Sequence, residues 1–75
     1  MTAKIMLKSI KDVQNLVNLV NKYDFDIDLI SDRYVIDAKS IMGIYSLDLT
    51  KPISVRAHTE DTAEFLAELA PFIVD

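Results

Sequence analysis

Few side chains in this 75-residue sequence could carry covalent chemistry. The chain has one histidine, His58, and no cysteine, which excludes disulfides, thiol nucleophiles and thiolate metal sites. His58 is one of the alternating residues of a predicted strand or lies at its exit. A lone histidine in such a place is more often structural or solvent-facing than catalytic. We therefore predict that the protein is not an enzyme and has no catalytic residue.

Three aspartates at alternate positions raise the question of a metal site. Asp24, Asp26 and Asp28 have the spacing that begins a calcium-binding EF-hand loop. The sixth position of that loop would be Leu29 instead of glycine, and the twelfth would be Val35 instead of glutamate. The single glycine of the chain also excludes a glycine-rich phosphate loop. We predict neither a metal site nor a cofactor, and interpret the aspartates as the solvated face of a strand.

The composition narrows the choice of partners. Twelve acidic against eight basic residues give a net charge of −4, and the basic residues are scattered along the chain. Binding to the phosphate backbone of a nucleic acid is therefore disfavoured. The apolar runs are too short for a membrane span, and the first residues lack the apolar core of a signal peptide. We predict a cytoplasmic protein without nucleic-acid or membrane partners.

The hydrophobic periodicity predicts a single domain, residues 1–75, with seven elements. Periods of two residues indicate strands, and periods near 3.6 indicate amphipathic helices, the first of which has an S-x-x-D cap formed by Ser9 and Asp12. In chain order the elements are a strand over 3–8, a helix from Ser9 to near Tyr23, a hairpin over 24–37, a short helix over 40–47, a strand over 53–58, and a helix capped by Thr59 or Asp61 and ended or kinked by Pro71.

The order of these elements predicts an α+β fold. It implies a four-stranded, mostly antiparallel sheet with its helices on one face, although a ferredoxin-like fold shares the same split βαβ wiring. The two long helices each have one apolar face that is predicted to point inward. Those faces comprise Ile10, Val13, Leu16, Val17 and Val20 in the first helix, and Phe65, Leu66, Leu69 and Phe72 in the last.

The most specific stretch of the sequence is the ten residues from Ala38 to Leu47, which read AKSIMGIYSL. They resemble the KSIMGVMSL stretch of Gram-positive members of the HPr family, the small phosphocarrier proteins of the bacterial sugar phosphotransferase system. Residues 22–24 and 26–29 also resemble the helix end and second strand of that family. The resemblance implies the family's open-faced β-sandwich, with the element order βαββαβα.

The loop that carries the family's active histidine differs in this chain. In the family a loop of the form G-I-H-A-R-P follows the first strand, and its histidine accepts a phosphoryl group from enzyme I. The corresponding stretch here is Ser9-Ile10-Lys11-Asp12-Val13. An ungapped register puts Ser9 at the place of the histidine, whereas matching the isoleucines puts Lys11 there. Neither register supplies an imidazole, so the resemblance implies a divergent member that is not a histidine phosphocarrier, comparable to the catabolite-repression homologue of HPr.

Ser40 is the candidate regulatory residue. The resemblance implies that an HPr kinase-like enzyme phosphorylates it, because Gram-positive HPr proteins are modified at the serine of this motif and then act in carbon catabolite control. A phosphate at this position would meet backbone N–H groups at the start of the short helix, with Lys39 nearby. The alternative is that Ser40 is only an N-cap, worth about 1 kcal/mol.

The resemblance also implies a docking surface around the short helix. In the family this helix contacts enzyme I, the kinase and a transcriptional regulator of carbon metabolism, while Ile44 and Leu47 are predicted here to be core residues. Two alternatives remain open: a phosphocarrier with an unorthodox acceptor, and a degenerate structural or oligomerising domain, for which a homodimer is expected. The predicted partner-binding residues are Lys11, Gln14, Lys39, Ile41, Met42 and Tyr45.

Overall fold

The computed structural model describes residues 2–74, and its helices and strands follow the predicted order. A short 3-10 helix over Ala70–Phe72 follows the last α-helix. The strands are β1 (Thr2–Ile5), β2 (Ile27–Ser31), β3 (Tyr34–Asp37) and β4 (Ile53–Ala57), and the α-helices are α1 (Ile10–Val20), α2 (Ile41–Tyr45) and α3 (Ala63–Leu69).

The four strands form one sheet in the order β1-β4-β2-β3, and all three pairings are antiparallel. Alternate residues of the two central strands are buried, including Leu29 and Val55, and they share one core with α1, α2 and α3. The other face of the sheet carries Lys4, Asp28 and Arg56, which are exposed or half-exposed. The α+β fold predicted from the sequence is therefore confirmed, with a fully antiparallel sheet.

Strand β1 is shorter than the predicted span of 3–8. Its last pair joins Ile5 to Ile53, and the residue before Ile53 is Pro52. β4 begins only at Ile53, after Pro52, so no residue of β4 lies opposite Met6 and the pairing of the two strands ends there. On the other side of β1, the backbone N–H of Met6 donates to the carbonyl oxygen of Phe72, at 2.9 Å. The C-terminal segment thus covers the outer edge of β1.

The segment between α1 and β2 also departs from the predicted boundaries. Helix α1 ends at Val20 instead of near Tyr23, and β2 begins at Ile27 instead of at Asp24. Residues 21–26 form turns that bring Tyr23 and Phe25 against Phe65 of α3, with ring centroids 5.2–5.7 Å apart. The alternation over 24–28 was therefore partly that of a loop whose aromatic residues pack on the core.

The start of α3 differs from the prediction that Thr59 or Asp61 caps it. Thr62 occupies the N-cap position and makes no side-chain capping bond. The Oγ1 of Thr59 instead accepts from the backbone N–H of Asp61 at 3.3 Å, so these two residues stabilise the preceding loop. Leu66 is only half-buried. The prediction for Pro71 is confirmed, because α3 ends at Leu69 and Pro71 lies in the 3-10 helix.

A polar cluster joins the end of α1 to α3. The Tyr23 hydroxyl and the Lys22 ammonium both donate to the carboxylate of Glu68. The bonds from Lys22 and Tyr23 hold the pKa of Glu68 below its usual value, and the bond to Glu68 raises the pKa of Tyr23 to about 12. A lowered carboxylate pKa stabilises the fold above the unfolded-state pKa, and that stabilisation is lost as the pH falls through the folded-state pKa.

We expect Glu68→Gln to lower the melting temperature slightly at pH 7, because it removes the charged acceptor of both bonds. The difference from wild type should shrink as the pH falls through the pKa of Glu68 in the folded protein, which the bonds from Lys22 and Tyr23 hold below the usual glutamate value. Thermal denaturation followed by circular dichroism between pH 3 and 7, as a rough working range, measures this. Glu64→Gln on the same helix is the control, and an equal, pH-dependent loss in that variant would contradict the assignment.

Candidate functional site

The start of α1 is held by a reciprocal cap. The Oγ of Ser9 accepts from the backbone N–H of Asp12 at 3.1 Å, and the carboxylate of Asp12 accepts from the backbone N–H of Lys8 at 2.9 Å. The predicted S-x-x-D cap is therefore confirmed. Ser9 and Asp12, which belong to the stretch predicted to correspond to the family's active loop, are thus engaged in starting the helix.

The start of α2 is built around Ser40. Its backbone is extended, and its Oγ accepts from the backbone N–H of Gly43 at 3.2 Å, which confirms the predicted N-cap. Gly43 is the residue that leaves room for this hydroxyl, since a Cβ there would lie 3.2 Å from the Ser40 Oγ and 3.4 Å from the Cδ1 of Ile36. Ser40 is exposed, so a modifying enzyme could reach its hydroxyl.

One pocket joins the start of α1 to the end of α2. It has a volume of about 240 Å³ and lies beneath the loop that connects β1 to α1. The structure therefore brings the predicted contact residue Tyr45 close to Ser9, although 35 residues separate them in the sequence. The lining consists of Leu7, Lys8, Ser9, Ile10, Val13, Tyr45, Leu49 and Thr50.

Four exposed apolar side chains lie on the two helices that meet at this pocket: Ile10, Ile41, Met42 and Tyr45, which we call the apical patch. Met42 is 76% exposed, and Tyr45 lies three residues after it, on the same side of α2. Ile44 and Leu47 are buried, as predicted. The short helix and the residues that follow it thus place some apolar side chains in the core and leave others exposed to solvent.

The prediction that Ile10 points into the core is wrong. Its side chain is 67% exposed and lies at the rim of the pocket. Ile10 is the first residue of α1, and side chains on a helix lean toward its N-terminus, so this one extends past the first turn. Leu49 and Thr50, which line the pocket, were also not identified from the sequence. The only signal for them is the turn in which Asp48 accepts from the backbone N–H of Thr50.

The remaining predicted contact residues lie on two different elements. Lys11 and Gln14 are exposed and, being three residues apart, share one side of α1. Lys39 directly precedes Ser40, but its ammonium donates to the backbone carbonyl of Tyr23 at 2.9 Å. The charge of Lys39 is thus tied to the loop after α1, while its backbone lies beside the candidate phosphorylation site.

His58 lies at the opposite end of the sheet. β4 runs antiparallel to β1, so Ile53 lies beside Ile5 near the start of α1, and His58 follows the far end of β4. His58 lies five residue steps beyond Ile53, a distance of about 16 Å along an extended strand. The Nε2 of His58 is 2.7 Å from a carboxylate oxygen of Asp28. His58 is exposed, as expected for a solvent-facing residue, and it lies outside the apical patch.

Other features of the surface contain none of the predicted site residues. A larger groove of about 390 Å³ lies between α1 and α3, next to the Lys22 and Glu68 pair. Among residues 2–74, no three metal-ligating side chains of histidine, cysteine, aspartate or glutamate are grouped closely enough to hold an ion. Over the same residues, none of the helices has both the length and the apolar character needed to cross a bilayer.

Three solved structures are similar to this chain. HPr-C-His from Thermoanaerobacter tengcongensis superposes with a TM-score of 0.78 at 24% identity, over 95% of this chain and 88% of the other. A phosphocarrier protein HPr from Bacillus anthracis gives 0.74 at 24% identity, over 99% and 96%. Crh of Bacillus subtilis gives 0.66 at 29% identity, over 88% and 78%. The first two similarities show the fold.

The sequence comparisons give two results. No curated protein sequence matches this chain significantly. The family model described as the PTS HPr component phosphorylation site matches residues 10–75, which is most of the chain. Together with the HPr and Crh structures it shows that the chain belongs to the HPr family.

Proposed function

We propose that this protein is a regulatory interaction module of the sugar phosphotransferase system, switched by phosphorylation of Ser40, and that it is not a histidine phosphocarrier. The observation that carries the proposal is the arrangement of two residues. Ser40 is exposed at the N-cap of α2, beside the apical patch, whereas the single histidine of the chain lies at the other end of the sheet.

A carrier function needs a nucleophile that accepts a phosphoryl group and then releases it readily. Histidine does this because its imidazole is neutral near pH 7. Ser9 and Lys11 are the two residues that could occupy the family's histidine position. The oxygen of Ser9 accepts from the N–H of Asp12 in the helix cap, and its phosphoester would be too stable for onward transfer. A lysine ammonium has no lone pair with which to attack phosphorus until it loses a proton.

A phosphate on Ser40 would change the apical patch in a specific way. It would add a charge of about −1.5 to −2 next to Ile41 and Met42, on a helix whose first turn has no acidic residue. Its oxygens could accept from the Gly43 N–H that the hydroxyl now receives, so α2 would keep its cap. The same helix would then present an apolar surface with an anion at its edge.

The partners proposed for this surface are proteins: an HPr kinase-like enzyme, enzyme I, or a transcriptional regulator of carbon metabolism. Exposed methionine and aromatic side chains adapt well to different partner surfaces. Lys11 and Gln14 would extend the contact along α1. Such partners are cytoplasmic, and the cytoplasm is accordingly the proposed location of this protein.

A structural role is a second candidate, favoured by one observation. The Crh structure from Bacillus subtilis is described as a dimer formed by domain swapping. A homodimer of this chain would then be its functional state. It would need neither phosphorylation of Ser40 nor transfer of a phosphoryl group from enzyme I. Replacing Ser40 by alanine would leave such a role unchanged.

We expect the HPr serine kinase with ATP to add one phosphate to the wild-type protein, located at Ser40 by mass spectrometry. Ser40→Ala should abolish the modification. Ser46→Ala is the matched control, because Ser46 is an exposed serine at the other end of the same helix, and this variant should be modified like the wild type. Absence of phosphate, or phosphate on a different residue, would contradict the proposed switch.

We expect enzyme I with phosphoenolpyruvate to leave no acid-labile phosphate on this chain, because neither Ser9 nor Lys11 offers a transferable acceptor. A Gram-positive HPr labelled in the same reaction serves as the positive control. Acid-labile label that disappears in Lys11→Ala would instead establish a carrier with an unorthodox acceptor, and acid-stable label that disappears in Ser9→Ala would show phosphorylation of that serine. Label that disappears only in His58→Ala would show that the far end of the sheet is used.

A further inference from the structure

The two edges of the sheet differ in whether the chain covers them. The outer side of β1 is covered by the C-terminal segment, since the backbone N–H of Met6 donates to Phe72 and that of Val74 donates to Lys4, both at 2.9 Å. At the other edge, no strand within residues 2–74 pairs with the outer side of β3. An uncovered edge strand presents backbone donors and acceptors to any extended segment that can reach it.

The hairpin register shows which backbone groups of β3 point outward. Residues 32 and 33 form a two-residue turn in which Asp32 has a φ of 53°, and Ser31 pairs with Tyr34. The residues that flank such a turn exchange both hydrogen bonds, and so does every second pair after them. Tyr34 and Ile36 therefore bond to β2, while the N–H and C=O of Val35 point away from the sheet.

The side chains along this edge are exposed and apolar, with one charge at each end. Tyr34 is 68% exposed and Val35 is 57% exposed. Arg33 precedes them and Asp37 ends the strand. Because side chains alternate along a strand, Val35 and Asp37 lie on one face of the sheet and Tyr34 and Ile36 lie on the other, while Arg33 is the turn residue that directly precedes the strand.

This pattern is complementary to itself. In a two-fold antiparallel pairing centred on Val35, Tyr34 lies opposite Ile36 of the second copy, and the next register position brings the turn residue Arg33 beside Asp37 of the second copy. Each cross-strand pair then joins either opposite charges or two apolar side chains, the kinds of pair that stabilise a sheet. Val35 would meet Val35 of the second copy as a hydrogen-bonded pair.

The charges also select this register over its neighbours. A two-fold pairing must keep residues of the same face opposite each other, so the alternatives are shifted by two positions. One shift puts Arg33 opposite Lys39 of the second copy, which opposes like charges. The other puts Arg33 opposite Val35 and leaves Asp37 without its basic partner.

We propose that the β3 edge is the interface for a second copy of this chain, joining two four-stranded sheets across a two-fold axis at Val35. The contact is short, so the dimer forms reversibly and depends on protein concentration. It differs from a domain-swapped dimer, because each chain keeps its own fold and only β3 contacts the second copy. It also requires no phosphate on Ser40, so it stands or falls separately from the regulatory proposal.

Sedimentation equilibrium from about 10 μM to about 1 mM tests the interface, a range that covers weak contacts of this size. Arg33→Asp should raise the dissociation constant about tenfold, because two attractive pairs become repulsive, and Arg33→Asp combined with Asp37→Arg should bring it back to near the wild-type value. Asp37→Asn keeps an acceptor for the backbone N–H of Lys39 and should weaken the dimer less. Lys51→Asp and Glu60→Arg are matched charge changes elsewhere and should have no effect.

Hydrogen exchange of the Val35 amide gives an independent readout. This N–H should exchange rapidly in dilute protein and become protected as concentration rises, while the Ile36 amide stays protected throughout. A protein that remains monomeric at the highest concentration would overturn the proposal. So would a dimer that is indifferent to the Arg33 and Asp37 charges, or one that does not dissociate on dilution, as expected for a swapped dimer.

Discussion

Burial of one face of an antiparallel sheet is the constraint on which the rest of this structure depends. Leu29 and Val55, at the centre of β2 and β4, are completely buried together with apolar residues from all three helices. A chain of this length has just enough apolar surface for one such core, so the helices must share a single face. With that arrangement, the start of α1 and the whole of α2 meet at one end of the sheet, which is where the apical patch forms.

The same constraint places the single imidazole of the chain at the end of the sheet opposite the apical patch. His58 follows β4, and β4 must run antiparallel to β1 for the two to pair. The start of α1 and His58 therefore lie at opposite ends of the same strand pair, whatever the loops do. Ser40 is exposed at the same end of the sheet as the apical patch, away from His58.

Local patterns predicted much of this arrangement because the interactions behind them are local. The caps at Ser9 and Ser40 each depend on a bond to a residue three positions later, and both are confirmed. The boundaries that depend on distant residues were missed. β1 ends where its partner β4 begins, at Ile53, 48 residues later in the chain than Ile5, and the loop after α1 is shaped by ring contacts to Phe65.

The candidate site shows the same division. The ten-residue motif located α2 and separated Ile44 and Leu47 from the exposed side chains correctly. The helical period of apolar residues wrongly predicted that Ile10 is buried. Ile10 fits the apolar pattern of α1, but as the first residue of the helix it lies beyond the edge of the core. Leu49 and Thr50 enter the pocket only through tertiary contact.

The most direct measurement of the central claim is a map of amide chemical shifts during titration with the HPr serine kinase and a nonhydrolysable ATP analogue. If the apical patch is the docking end, the amides of Ile10, Met42 and Tyr45 should shift as the kinase is added, and those of Arg56 and His58 should not. Shifts confined to the His58 end of the sheet, or no shifts at all, would contradict the assignment of function to this surface.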